Sequence, residues 1–106
     1  MTHTDLLNAL RDCYDPLIQR NVVEMNLVRS ATLELDTEAA GAGIRGVPPR
    51  YKARIVLHAP GSDDAANAQL AAQIENRLAG MQEISHADVR LLPAAFPILN
   101  QRRNSS

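Results

Sequence analysis

Apolar residues recur along the chain in two rhythms, and each rhythm predicts an element. Over residues 4–14, Leu6, Leu10 and Cys13 share one helical face, with Thr4 as N-cap and Asp5 at the positive end of the dipole. Asp15-Pro16 stops that helix and suits a fresh turn, Asp15 capping it and Pro16 taking its first helical position. The apolar stretch Val22-Val23-Glu24-Met25-Asn26-Leu27-Val28 is interrupted by Asn26, a residue that tolerates left-handed backbone. From Arg29 to Asp36 the period becomes two: Ala31, Leu33 and Leu35 on one face, Ser30, Thr32, Glu34 and Asp36 on the other. Arg50 to Ala59 alternates again, with Tyr51, Ala53, Ile55 and Leu57 opposed to Lys52, Arg54, Val56 and His58. Residues 62–79 return to helical spacing through Leu70, Ile74 and Leu78, and Gly80 reads as the C′ glycine that ends it. A third strand, His86 to Leu92, turns Ala87, Val89 and Leu91 inward.

The predicted order is helix, strand, strand, helix, strand. The first two strands make an antiparallel hairpin, and the crossover helix sets the third parallel to the second, with a right-handed connection. Because each strand has one apolar and one charged face, both helices cover the same side. The fold class is therefore α/β (α+β), a two-layer sandwich with a small mixed sheet. Residues 1–99 form a single domain, with Pro93, Phe96 and Pro97 in an irregular segment, and residues 100–106 form a polar, disordered tail.

Composition narrows the functional classes. With 106 residues the chain suits one domain. Eleven Lys+Arg against twelve Asp+Glu supply neither a nucleic-acid footprint nor a polybasic membrane patch. The apolar blocks are far shorter than a membrane span, which takes about 18 or more consecutive apolar residues. Met1-Thr2-His3-Thr4-Asp5 lacks the basic and apolar regions of a secretory signal, so the working address is cytoplasmic. One cysteine makes no internal disulfide and no self-sufficient metal site.

Asp15-Pro16 followed by Val22-Val23-Glu24-Met25-Asn26-Leu27-Val28 resembles the opening of the PaaD-like iron–sulfur assembly family, in which an Asp-Pro-Glu turn leads to an apolar-apolar-x-Leu-Gly-Leu-Val segment. The same module is similar to the N-terminal part of the Mrp-type cluster-carrier ATPases. Ile55-Val56-Leu57-His58-Ala59-Pro60-Gly61-Ser62-Asp63 resembles the family's strand ending in Thr-Pro-x-Cys-Pro before the long helix, and Pro93-Ala94-Ala95-Phe96-Pro97 stands where the family has Pro-Pro-Trp-x-Pro. The resemblance covers residues 5–97. Three positions depart from it: Leu17 replaces Glu, Asn26 replaces Gly, and Ser62 replaces the cysteine. A thiolate at a helix N-terminus is stabilised and reactive, whereas a serine hydroxyl is no ligand for a soft metal. The resemblance thus implies a role near iron–sulfur maturation without thiolate chemistry. It also places Asp15 and Ser62 in one shallow pocket; the candidate site is Asp15, Ser62, His58 and Asp63.

Each constellation also has a structural explanation. Cys13, on the apolar face of the first helix, reads as a buried and inert core residue, not a metal ligand. Asp15 reads as a cap, and so does Ser62, ahead of Asp63 and Asp64. Ser62, His58 and Asp63 have the residue types of a hydrolytic triad, but their spacing shows no triad geometry. Gly41-Ala42-Gly43-Ile44-Arg45-Gly46 spells G-x-G-x-x-G, yet Val47-Pro48-Pro49 forbids the helix that a dinucleotide site requires, leaving a hairpin loop. His58 and His86 sit at opposite ends of parallel strands, roughly 15 Å apart by strand rise, too far to share an ion. Glu34, Asp36, Lys52, Arg54, Asp88 and Arg90 form an outer face whose mixed signs predict cross-strand pairing. Arginine outnumbers lysine ten to one, which keeps an interface in view there.

The combined expectation is a non-enzymatic accessory factor in iron–sulfur cluster assembly or target maturation, without a cofactor of its own. Its partners are iron–sulfur assembly or target proteins; nucleic acid and membrane are excluded, and a homodimer stays open. The alternatives are a cluster- or metal-binding carrier acting as a dimer and, third, a hydrolase using Ser62.

Overall fold

A computed structural model describes residues 1–94. The elements are α1 (His3–Leu10), β1 (Val28–Leu35), β2 (Tyr51–His58), α2 (Asp64–Ala79) and β3 (Ile84–Leu92), in the order read from the periodicity. They build one three-stranded sheet ordered β1-β2-β3. β1 pairs antiparallel with β2, and β3 pairs parallel with β2. The fold class is α+β, a small mixed sheet with two helices. Among the described residues no helix is long and apolar enough to cross a membrane. Phe96, Pro97 and the polar tail lie outside the described residues.

One apolar layer explains why the helices lie on a single side. Leu6, Ala9 and Leu10 of α1 join Leu70, Ile74 and Leu78 of α2 in a cluster with Ala31, Ala53, Ile55, Leu57 and Ile84 of the sheet. Burying each of the larger side chains stabilises the fold by about 1.5–3 kcal/mol. Cys13 and Val22, fully buried on either side of the Asp15 turn, belong to the same cluster and anchor the turn to the core.

The helix boundaries differ from the sequence reading for local reasons. α1 starts earlier because Thr2, not Thr4, caps it. Asp5 N donates to Thr2 Oγ1 at 3.2 Å while Thr2 N donates to Asp5 Oδ2 at 2.9 Å, a reciprocal capping box. α1 also ends at Leu10, short of residue 14. Beyond it Asp12 N and Cys13 N bond three residues back, to Ala9 O and Leu10 O, tightening the chain towards an antiparallel bridge between Tyr14 and Asn21. α2 is capped by Asp63, whose Oδ1 accepts from Ala66 N at 3.0 Å; Ser62 stands one residue outside and exposed. Asp63, not Ser62, is the residue within reach of the Ala66 N–H, although the two types cap about equally well. Gly80 is the C-cap itself, with φ −76°, not a left-handed C′ residue.

Two side chains point elsewhere than the alternation predicts. Leu35 is 53% exposed because it ends β1 beyond the helices, beside the β1–β2 loop. Asp36, expected on the solvated face, is 9% exposed and accepts from Ser85 Oγ at 2.6 Å and from Glu38 N at 3.0 Å. The β1–β2 segment does form a loop of turns, with Gly41, Gly43 and Gly46 all at positive φ.

Candidate functional site

Asp15 is the organising residue of the turn that follows α1. Its carboxylate is 1% exposed, and Oδ2 accepts from Leu17 N at 3.1 Å and Ile18 N at 2.6 Å. Its carbonyl accepts from Gln19 N at 2.8 Å, and its own N–H donates to Arg20 O at 3.0 Å. Pro16, with its φ already fixed and no N–H to satisfy, fits the first position of this turn. The turn closes with Gln19 at φ 64°. Asn26, at φ 58°, then supplies the left-handed step read from its residue type.

α2 holds this turn through contacts that hydrophobic spacing does not announce. Gln73 Nε2 donates to Tyr14 O at 2.9 Å, and Tyr14 N donates to Gln73 Oε1 at 2.8 Å, so one amide clamps one backbone residue. One turn on, Arg77 meets Asp12 Oδ2 through both Nε and Nη2, each at 3.1 Å. Gln73 flanks the Leu70–Ile74 stripe, and nothing in the local sequence distinguishes it from a solvated helix residue.

The same arrangement brings Asp15 and Ser62 together. They line one shallow cavity of about 260 Å³ with Leu17, Ile18, Asp63 and Asn67. Asn67 is anchored by Nδ2 to Gly61 O at 3.1 Å, and its Oδ1 is buried without a hydrogen-bond partner among the described residues. Leu17 and Ile18 are 67% and 49% exposed on the rim. Sequence reasoning named the two polar residues and missed the two aliphatic ones; an exposed Leu-Ile pair directly after Asp-Pro was the available signal.

The fourth candidate stands apart. His58 does not line this cavity; its Nδ1 lies 3.1 Å from Pro93 O at the end of β2. Asp63 is committed to the α2 cap, so no triad centred on Ser62 is assembled. His58 pairs in register with Leu92, while His86 pairs with Lys52. Six positions of strand rise separate the two rings by roughly 20 Å.

The only thiol is deep in the core. Cys13 is 0% exposed, its Sγ lies 3.8 Å from Ala9 O, and burial pushes it up to about 11. A cluster at this site needs accessible thiolates, and the residues present do not fit one: Ser62 is outside, Cys13 is sealed in, and among the described residues no three His, Cys, Asp or Glu side chains gather.

The outer sheet face carries the charged pattern read from the strands. Arg54 Nε lies 3.4 Å from Asp88 Oδ2 across β2 and β3, and Glu34 and Lys52 occupy opposed positions on β1 and β2. The Ser85 hydroxyl, more than the N–H of Glu38, holds the Asp36 carboxyl below its usual range. This face accordingly forms a basin of about 510 Å³.

The chain matches no family model and no curated protein.

Proposed function

We propose that this protein is a cytoplasmic, non-catalytic accessory factor of the PaaD-like kind, assisting iron–sulfur cluster assembly or target maturation by protein–protein contact. One observation carries the contact mode: the Leu17–Ile18 pair projects from a turn whose backbone is fixed from within by Asp15 and from α2 by Gln73. Exposed aliphatic groups on a preorganised backbone lose little entropy on docking. The cavity beside them, floored by Asp15 and edged by Ser62, gives a partner side chain somewhere to enter. The iron–sulfur assignment rests on the Asp-Pro turn and strand-end motifs, and a cluster would be handled on the partner, since the sole thiol here is buried.

The test pairs capture with reconstitution. Wild-type protein used as bait in its host's lysate should retain cluster-assembly or iron–sulfur proteins, and Leu17→Glu with Ile18→Glu should abolish that retention with folding intact. Anaerobic incubation with iron and sulfide should leave no stable visible absorption on the protein. Retained partners unconnected with iron–sulfur proteins would overturn the assignment, and a stable bound cluster would favour the dimeric carrier.

A further inference from the structure

β3 is an edge strand, and its open side is readable residue by residue. It is the last strand of the β1-β2-β3 order and, among the described residues, pairs with no strand but β2; Arg50 Nη2 donates to Ile84 O at its start, leaving the edge open beyond. Ala59 N donates to Leu92 O at 2.8 Å, which fixes the phase of the parallel ladder. Counting back through the register, His86, Asp88, Arg90 and Leu92 direct their backbone groups at β2. Ala87, Val89 and Leu91 therefore aim theirs outward, and among the described residues no other element receives them. The side chains of these three are half-buried, so the strand is incompletely covered on its helix side as well. A long, proline-free edge of this kind is a template for another strand. The opposite edge, β1, is interrupted by a register shift between Val28 and Ser30.

We infer that β3 pairs antiparallel with β3 of a second copy of this chain, about a two-fold axis at Val89, joining two three-stranded sheets into one of six strands. Charge selects both the occupant and the register. Axes at Asp88 or Arg90 would set like charges against each other. An axis at Leu91 would oppose Val89 to Pro93, which has no N–H to give. An axis at Ala87 would leave Arg90 opposite the apolar Ile84. With the axis at Val89, Asp88 faces Arg90 of the other copy and Arg90 faces its Asp88, both in non-hydrogen-bonded pairs where side chains are closest. Val89 meets itself, and Ala87 meets Leu91 on the helix side. Arg90 has only Val56 as its in-register neighbour on β2 and makes no ion pair among the described residues, so the pairing supplies it with an acid, while Asp88 keeps Arg54. The contact is isologous, and it uses the outward N–H and C=O groups of all three odd residues.

Sedimentation of the full chain over a concentration series gives the first reading: a reversible monomer–dimer equilibrium. Arg90→Asp, which breaks no ion pair among the described residues, should raise the dimer dissociation constant about tenfold or more. Val89→Pro removes an N–H that points out of the sheet, and should leave a folded monomer. Under mild oxidation Val89→Cys should cross-link to itself, since directly opposed Cα atoms lie about 5.5 Å apart, within disulfide reach. Ala87→Cys alone should not, its counterpart being roughly 14 Å along the pair. A chain that stays monomeric at millimolar concentration would overturn the inference. So would a dimer indifferent to Arg90→Asp, or cross-linking by Ala87→Cys in place of Val89→Cys.

Discussion

Asp15 shows how one buried acid defines a local structure. Replacing it by alanine leaves the N–H groups of Leu17 and Ile18 without their acceptor, and should cost about 1–2 kcal/mol in urea unfolding. Asp15→Asn retains an acceptor oxygen and should recover part of that loss. Gly80 predicts the opposite sign. Its backbone is right-handed, and an added Cβ would meet nothing closer than 3.6 Å, so Gly80→Ala should stabilise by about 0.4–1 kcal/mol, read as a raised Tm. Residue types that admit one backbone solution were legible in the sequence: Asp-Pro as a turn, Asn26 as a left-handed step. Cap identity was not, because Thr2 and Thr4, or Ser62 and Asp63, are equally competent until the chain chooses which N–H groups stand within reach.

At the scale of elements, alternation and helical spacing place all five, since each turns an apolar face towards the common core. Their ends are set by local caps and tight turns, and the turn after α1 is held by long-range polar contacts that leave no periodic trace. The Gln73–Tyr14 clamp joins residues far apart in sequence and is exposed, so it is invisible to any hydrophobic pattern. Gln73→Ala should lower stability by about 1 kcal/mol or less, water replacing the lost partners. It should also speed amide hydrogen exchange at Leu17 and Ile18 well beyond the change in global unfolding, because the turn loses its tie to α2. Equal protection in the two proteins would assign that turn's rigidity to Asp15 alone. The same clamp explains why half of the candidate site was readable: Asp15 and Ser62 belong to motifs, whereas the rim they share depends on how α2 grips the first turn.

For the whole molecule, Asp5, Asp36 and Cys13 tie stability to pH. Asp5, lowered by its hydrogen bonds with Thr2, and Asp36, lowered chiefly by Ser85, contribute stability above the ordinary carboxylate range that is lost as pH falls through their folded values. Cys13 works in the other direction. Its thiol is raised from 9.0 to about 11, so the unfolded chain ionises first, and stability falls as pH climbs from 9.0 towards 11. Thermal melts should therefore show a plateau between an acid limb and an alkaline limb. Ser85→Ala should move the Asp36 titration upward by NMR. Cys13→Ala should flatten the alkaline limb by up to about 3 kcal/mol relative to its own neutral-pH value.

The β1–β2 loop, residues 36–50, touches β3 only at its base, through Asp36 with Ser85 and Arg50 with Ile84 O, and its Gly43–Gly46 tip takes no part in the cavity around Asp15 or in the Ala87–Leu91 edge. At Gly43 and Gly46 a side chain would meet only open space, although both glycines hold a left-handed backbone. Lengthening a closed loop costs little: doubling it adds about 0.6 kcal/mol. An affinity or fluorescent tag spliced between Gly43 and Gly46 would thus ride on the fold without masking either surface, and it would leave both chain ends as they are. Bait fixed through that loop would present the Leu17–Ile18 rim to a lysate in the same orientation on every molecule.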